Sequence, residues 1–255
     1  AVAKAAAYNE CAFLCPSERA DLKIRYFAPG REVALCGHAT VASVYALMEH
    51  RGTLQDTELT VETGIGIIRV GYCHATHEIT MQQADAVFHT FDGDTAALME
   101  AIGLTTDDLD PRYPIVFGST GDWTTIVPIK TLASFSRMRP NNSRFPAVLG
   151  SKPHASVHPM TFSAHDPDCM LHGRHFSSPF SGTVEDAVTG TASGVMSAYL
   201  LRYAGYSDSV NLKIEQGTEI CRTGKVHACA TADGDAIHVR IAGKAVRGDS
   251  FTVTV

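Results

Sequence analysis

The sequence predicts an α+β fold made of two pseudo-symmetric halves, each a curled, mostly antiparallel sheet around a central buried helix. Two observations lead to this class. A pattern of strand, glycine turn and helix start occurs twice, over residues 25–40 and again over 174–193. The rest of the chain alternates short apolar runs with glycine and polar turns, which is typical of hairpin strands. A supersecondary pattern that recurs within one chain indicates two related halves.

The first predicted elements are a helix end, a hairpin and a helix. Residues 3–8 predict the end of a helix, and 11–14 with 22–27 predict two strands joined by a polar turn. Residues 40–50 carry apolar side chains at the helical period, and Arg51-Gly52 stops that period. This helix is apolar nearly all round, so we expect it to be buried.

Short strands and one surface helix complete the first half. The predicted strands cover 58–61, 66–72 and 78–82, and glycine and polar turns separate them. Residues 95–102 predict a short helix that ends at Gly103.

A linker is predicted at the acidic, proline-bearing stretch 105–114, which divides the chain into an N-terminal half, 1–112, and a C-terminal half, 113–255. The second half repeats the order of the first, with a buried helix that begins near Gly190 and runs to about Tyr203. Its other predicted elements are strand 123–129, helix 131–138, and strands 155–163, 170–176, 213–216, 225–230, 236–241 and 251–255.

Composition limits the classes of function. With 255 residues, 45% of them hydrophobic and 19% charged, the chain is long enough for two packed domains. The formal charge of -6 and the lack of a basic run argue against nucleic-acid binding. No apolar stretch reaches the roughly 18 to 20 residues of a membrane span. We therefore expect a cytoplasmic protein.

Cysteine and histidine patterns do not favour a metal or a disulfide framework. The seven cysteines are odd in number and lack C-x-x-C spacing. Several histidines lie between 154 and 175, but His154 and His158 stand between two prolines, so their spacing does not fit a stable helix. We predict no metal and no cofactor. Cys36 alone precedes a helix start, where the dipole favours a thiolate, although a packed thiol is an equal alternative.

The two helix starts are the predicted substrate-binding elements. A helix N-terminus presents unpaired N–H groups and partial positive charge, so two of them facing one cleft would bind a small carboxylate. The residues expected to bind substrate at these turns are Cys36, Gly37, Ala39, Thr40, Thr189, Gly190, Thr191 and Ala192.

The paired motifs resemble a known family. Arg25-Tyr26-Phe27-Ala28-Pro29, Cys36-Gly37-His38-Ala39-Thr40 and Glu185-Asp186-Ala187-Val188-Thr189-Gly190-Thr191-Ala192 are similar to motifs of the PhzF-like family of phenazine-biosynthesis isomerases. Residues 118–120 with Trp123, and 216–219 with Arg222, are further matches. The resemblance implies a diaminopimelate epimerase-like fold, a homodimer and a cofactor-independent isomerase. It also implies that the family's first strand is missing from this sequence, which would begin within the first helix.

The resemblance further implies three catalytic residues. Glu10 matches the family's general acid/base, His38 its turn histidine and Asp186 the acid of its second motif. A carboxylate such as Glu10 can remove a proton from one carbon and return it to another, while Asp186 orients the substrate or His38. In epimerase relatives two cysteines perform this exchange. Here Cys36 matches the first, but Thr189 replaces the second, and its hydroxyl is a far weaker acid than a thiol.

Three hypotheses follow. The first is an isomerase that shifts a proton within a small carboxylate-bearing metabolite through Glu10. The second is a non-catalytic small-anion-binding or scaffold protein that keeps the fold, and the third is a Cys36-dependent epimerase. If the candidate residues are merely structural, Glu10 lies at the surface, His38 is packed and Asp186 caps a helix.

Overall fold

A computed structural model describes residues 2–6, 8, 10–28, 30–250 and 252. The chain forms two compact units, one of residues 1–82 with 241–255 and one of residues 83–240. The boundary predicted between 112 and 113 thus falls inside the second unit, and the chain returns to the first unit at its C-terminal end. The pseudo-symmetry of two halves stays a prediction.

The first unit combines two helices with a mainly antiparallel sheet. The helices are α1 (Val2–Ala6) and α2 (Gly37–Arg51). The strands are β1 (Cys11–Cys15), β2 (Leu22–Ala28), β3 (Arg31–Val33), β4 (Thr57–Thr63), β5 (Gly66–Cys73) and β6 (Glu78–Gln82). Their order is β1-β2-β4-β5-β6, with β3 paired to β2, and among the described residues the β2–β4 pairing is parallel and the others are antiparallel.

Helix α2 is only half buried, so the prediction of a helix buried on all sides was wrong. Val44 and Met48 lie in the core, whereas Ala42, Ala46 and Glu49 are exposed. Alanine counts as apolar in a sequence pattern but contributes little area to a core, so it does not determine which face is buried. The helix also begins at Gly37, three residues before the predicted start.

The second unit contains the longer sheet. Its helices are α3 (Thr95–Ala101), α4 (Phe145–Val148) and α5 (Gly190–Tyr203). Its strands are β7 (Val87–Thr90), β8 (Val116–Ser119), β9 (Trp123–Pro128), β10 (Ser156–Thr161), β11 (Leu171–Gly173), β12 (His175–Phe176), β13 (Glu185–Asp186), β14 (Ser209–Gln216), β15 (Gly224–Asp233) and β16 (Ala236–Lys244), the last of which passes into the first unit at residue 241. The strand order is β16-β15-β14-β11-β10-β9-β8-β7, with β12 paired to β10 and β13.

Helix α5 is the central element of this unit. Ten of its fourteen residues are buried, which requires protein on nearly every side of the helix. It contacts β8 near one end of the strand order and β14 and β15 near the other end. A sheet can reach one helix from both ends of its strand order only if it curls around that helix. The predicted buried helix inside a curled sheet is confirmed here, with the predicted bounds.

A second apolar cluster packs away from α5. It joins α3 with the 3-10 helix Leu132–Arg137 and with Phe117, Phe145 and Phe176. The segment predicted as an α-helix over 131–138 is this 3-10 helix. The strands β3, β7, β8 and β13 were not predicted from the sequence. The strand predicted over 251–255 lies outside the described residues, apart from Thr252.

Candidate active site

The Arg and Glu of the repeated sequence pattern form an ion pair in each unit. In the first unit, Nε and Nη2 of Arg25 donate hydrogen bonds to the Glu32 carboxylate at 2.8 and 2.7 Å. In the second unit, the same atoms of Arg174 donate to Glu185 at the same two distances. Each pair lies where two strands meet ahead of a helix, β2 with β3 and β12 with β13. The repeated sequence therefore encodes a repeated local arrangement that leads to a helix start.

At the start of α2, Cys36 occupies the cap position in an extended conformation and its side chain makes no capping hydrogen bond. The Thr40 hydroxyl donates to the Cys36 carbonyl at 2.8 Å, and the Tyr26 hydroxyl lies 2.6 Å from the same Thr40 oxygen. Burial raises the pKa of Tyr26 to about 12, so its phenol stays protonated and donates. Thr40 N–H also donates to the Cys36 carbonyl. Both donors of Thr40 thus hold the turn, which leaves Gly37 and Ala39 for the predicted substrate contacts.

Three chemically active side chains meet at this turn. Oε2 of Glu10 lies 3.1 Å from Nε2 of His38, and Sγ of Cys36 lies 3.5 Å from the same nitrogen. Glu10 directly precedes β1, whose first residue pairs with Phe27 of β2, and this pairing brings the carboxylate close to the turn. The Glu10 and His38 side chains are 24% and 41% exposed, whereas Cys36 is buried.

The carboxylate at this turn is placed to accept a proton. Among the described residues, no donor is aligned to hydrogen-bond with Oε2 of Glu10, although His38 lies within ion-pair distance. A general base needs an acceptor atom that is within reach of a proton and is not occupied by a strong donor. Glu10, His38 and Cys36 therefore form a group that can exchange protons with a bound molecule.

The second unit holds a hydrogen-bonded carboxylate at the start of α5. The Thr189 hydroxyl donates to Oδ2 of Asp186 at 2.6 Å. Nε2 of Gln216 donates to the Asp186 carbonyl at 2.7 Å and to the Thr189 hydroxyl at 3.2 Å, and Oε1 of Gln216 accepts the Thr189 N–H at 3.2 Å. Asp186 is thus held by a network rather than by capping the helix. In this arrangement the Thr189 hydroxyl directs its proton to Asp186.

The remaining predicted residues of this turn have structural contacts. Gly190 and Ala192 are buried, and Thr191 is half-buried with its carbonyl accepting a hydrogen bond from the Thr120 hydroxyl at 3.0 Å. Thr189, at the cap position, makes no side-chain capping bond to the first turn of α5. The turn is therefore held from outside by Thr120 and Gln216.

A buried histidine pair lies next to Asp186. His175 is the strand partner of Asp186, and its Nδ1 lies 3.2 Å from Nδ1 of His158. Burial lowers the pKa of both rings, and the charge of Asp186 opposes this effect at His175. One neutral ring therefore donates to the other at this contact.

Sequence reasoning identified Asp186 and Thr189 but not how they are held. Gln216 was noted only as part of a motif, and its double amide contact depends on pairing between strands that lie far apart in the chain. The one local signal is Gly217, whose positive φ of 86° ends β14 and begins the 3-10 helix Thr218–Ile220.

Comparison with known proteins defines the family. Residues 1–249 match the model of the PhzC-PhzF family, described as phenazine biosynthesis-like protein. The chain belongs to this family. It is similar to an uncharacterized isomerase of Bacillus subtilis, YfhB, with 48% identity over 252 residues that cover 98% of this chain and 85% of that protein. The trans-2,3-dihydro-3-hydroxyanthranilate isomerase of Pseudomonas chlororaphis is 25% identical over 95% of this chain and 82% of that protein.

Solved structures agree with the fold. The Bacillus anthracis phenazine biosynthesis protein of the PhzF family has a TM-score of 0.93 and 43% identity, over 100% of this chain and 87% of that chain. A hydroxyproline epimerase from Agrobacterium vitis has a TM-score of 0.61 at 16% identity, over 92% of this chain and 71% of that chain, which shows a shared fold. The α+β, epimerase-like fold class is confirmed.

The predicted enzyme class, an isomerase, is confirmed, because several relatives of this chain are named isomerases. No helix in the described part of the chain has the length and apolar character of a bilayer span. The homodimer and the cytoplasmic location stay predictions.

Proposed function

We propose that this PhzF-family chain is a cofactor-independent isomerase that shifts a proton within a small carboxylate-bearing metabolite. The single observation that carries the proposal is the contact of Glu10, His38 and Cys36 at the start of α2, with Oε2 of Glu10 3.1 Å from Nε2 of His38. A carboxylate next to an imidazole is suited to moving one proton in both directions.

The proposed reaction balances without any other reactant. The Glu10 carboxylate takes a proton from one substrate carbon, and the electrons of that C–H bond form a new double bond. The electrons of the neighbouring double bond then take the proton back from Glu10 at a different carbon, so nothing is oxidised or reduced. Negative charge develops on the substrate as its proton moves to Glu10, and His38 would stabilise that charge, because its side chain is 41% exposed and can meet a ligand.

The helix starts supply the proposed anion contacts. Main-chain N–H groups at Gly37 and Ala39 would bind a carboxylate at the start of α2, and those at Gly190, Thr191 and Ala192 would bind an anionic group at the start of α5. Asp186 would orient the substrate, because its network with Thr189 and Gln216 fixes the direction of its free carboxylate oxygen.

Deuterium exchange tests the proposal. Candidate acids, beginning with trans-2,3-dihydro-3-hydroxyanthranilate because a relative is named for it, are incubated with the protein in deuterated water and analysed by mass spectrometry. We expect incorporation of deuterium at one carbon and a loss of about 10²- to 10⁴-fold in the rate for Glu10→Gln. The matched control is Glu18→Gln, an exposed carboxylate of the same unit, which should leave the rate unchanged.

Two outcomes would contradict this mechanism. Undiminished exchange in Glu10→Gln would exclude Glu10 as the base. Binding of carboxylates that survives Glu10→Gln, with no exchange into any acid, would favour the non-catalytic anion-binding protein.

A second candidate function is supported by one contact. Sγ of Cys36 lies 3.5 Å from Nε2 of His38, as a thiol base would require. In a Cys36-dependent epimerase, Cys36→Ser would abolish exchange at a stereocentre, whereas the carboxylate mechanism predicts only a modest loss. The rates of Cys36→Ser and Glu10→Gln on the same substrate therefore distinguish the two.

A further inference from the structure

A second group of metal-ligating side chains lies in the second unit, apart from the residues assigned to the reaction. It consists of His165, His172 and Glu219, whose ligand atoms all lie within 4.8 Å of one another. We infer that these three residues bind a divalent transition-metal ion of the zinc type.

The geometry of His172 is that of a metal ligand supported by a carboxylate. His172 is completely buried, and its Nδ1 lies 2.8 Å from Oε1 of Glu215, which is itself 1% exposed. His172 and Glu215 are direct partners in the parallel pairing of β11 and β14. Metal-binding histidines almost always donate their second ring N–H to a carboxylate or carbonyl, which fixes the tautomer. Glu215 plays that part here and leaves Nε2 of His172 for a metal.

Glu219 supplies the second ligand and an unused oxygen. Its Oε1 lies 2.9 Å from Nε2 of His172, and its side chain is 11% exposed. Its Oε2 is buried and, within the described residues, has no hydrogen-bond partner. A buried carboxylate oxygen without a donor is costly unless something positive satisfies it. A divalent ion between the two side chains would replace the proton at the Nε2–Oε1 contact, which is released to solvent, and would satisfy the carboxylate.

His165 completes the set from an exposed loop between β10 and β11. Its ring centroid lies 5.2 Å from that of His172, and its backbone N–H donates to Oε1 of Glu215 at 2.6 Å. The carboxylate that orients His172 therefore also positions the His165 loop. Because His165 is exposed, an ion can enter from solvent. Two imidazoles and one carboxylate with a fourth position for water form a common zinc ligand set.

The strand alternation separates this cluster from the candidate active site. Glu215 faces His172, whereas the next residue, Gln216, bonds to Asp186 and Thr189. Successive side chains of a strand point to opposite faces, so the two groups lie on opposite faces of β14. The proposed metal site is therefore independent of the proposed isomerase reaction. A finding that no metal binds there would not affect the isomerase proposal.

Zinc titration of the full chain tests the inference. The cysteine-containing group at Glu10, Cys36 and His38 is another possible zinc ligand set, so the titration is made in Cys36→Ala protein. We expect one zinc equivalent by calorimetry and a rise in melting temperature of about 5 °C at saturating zinc. Cobalt should give a tetrahedral d–d spectrum without the near-ultraviolet charge-transfer band that a thiolate produces.

Variants of the ligands decide between this site and adventitious binding. His165→Asn, added to Cys36→Ala, should weaken zinc binding by more than about tenfold. The matched control is His50→Asn, an exposed histidine outside the cluster. Glu219→Gln removes the carboxylate ligand in a second variant, and circular dichroism shows whether each variant is folded. Equal zinc affinity in the Cys36→Ala protein with and without His165→Asn, or cobalt spectra that do not change in Glu219→Gln, would overturn the inference.

Discussion

The two ion pairs of the repeated pattern allow a comparison of burial at constant geometry. Arg25–Glu32 and Arg174–Glu185 share the same donor atoms and distances. Their side chains differ in exposure, at 47% and 45% for the first pair and 6% and 8% for the second. Arg174 additionally donates to the Phe135 carbonyl at 2.9 Å. We predict that Arg174→Met destabilises the chain strongly and that Arg25→Met does so only slightly.

The magnitude follows from what each substitution leaves behind. Loss of Arg174 leaves a buried carboxylate at Glu185 without its cation and the Phe135 carbonyl without a donor. Removing one partner of a buried pair costs about 3 to 5 kcal/mol, which corresponds to a urea midpoint lower by about 1 to 2 M. Loss of Arg25 leaves Glu32 in contact with water, which solvates the carboxylate and screens its charge, so the expected change is small.

Urea unfolding measures both effects. Trp123 is the one tryptophan of the sequence and lies in the second unit, so its fluorescence reports that unit, while circular dichroism follows the whole chain. In the double variant Arg174→Met/Glu185→Leu we expect most of the lost stability to return, because an apolar pair no longer leaves a buried charge. Equal losses for Arg25→Met and Arg174→Met, or a double variant less stable than Arg174→Met, would refute this reasoning.

Two further predictions concern the interior around α5. Burial holds the pKa of His158 well below 6.5, so as the pH falls below 6.5 the imidazole takes up a proton in the unfolded chain but not in the folded chain. The contribution of His158 to stability is therefore complete above pH 6.5, and we expect a loss of about 1 kcal/mol between pH 6.5 and 5.5. A falling urea midpoint by Trp123 fluorescence would show this loss, which would be absent if the ring were charged in the folded chain. In Gly118→Ala the new Cβ would lie 2.3 Å from Cγ1 of Val195, so we expect about 1 to 3 kcal/mol of destabilisation by the same assay. The control is Gly248→Ala, where the new Cβ has no non-neighbouring atom of the described residues within 4 Å, and it should leave the stability unchanged.

The sequence predicted those elements whose structure follows from their own residues, and it missed those that depend on contacts with distant parts of the chain. Helix α5 was predicted from Gly190 to Tyr203, as observed, because its apolar residues recur at the helical period, and small residues such as Gly194, where a Cβ would lie 2.9 Å from Cγ1 of Val239, let the sheet approach its other face. Strand β8 was not predicted, since it is four residues long and contains Gly118, which is fixed by the approach of Val195 rather than by any strand preference. Short strands of this kind exist through pairing with distant partners, which a local pattern does not contain.

The same distinction applies to the candidate site. The resemblance of the motifs to those of the PhzF-like family selected Glu10, His38 and Asp186 as candidates. Glu10 was expected to move the proton and Asp186 to orient the substrate or His38; the contact between Glu10 and His38 at one turn was not predicted. The hydrogen bond from Gln216 to the Asp186 carbonyl was not predictable, because the two residues are separated by 30 positions and meet only through the arrangement of strands.

Burial gives the two helix starts different physical characters. The Glu10–His38 pair is partly exposed, and no donor in the described part of the chain is aligned with one acceptor oxygen of its carboxylate, which suits a group that must exchange a proton. Asp186 is restrained by the Thr189 hydroxyl, and the neighbouring Glu185 by a buried arginine, which suits a group that must keep one orientation. Substitution of the first pair should therefore change turnover at nearly constant stability, whereas substitution around Asp186 should change stability and turnover together. A loss of activity in an Asp186 variant consequently demonstrates a direct role only when its urea midpoint matches that of the unmodified chain.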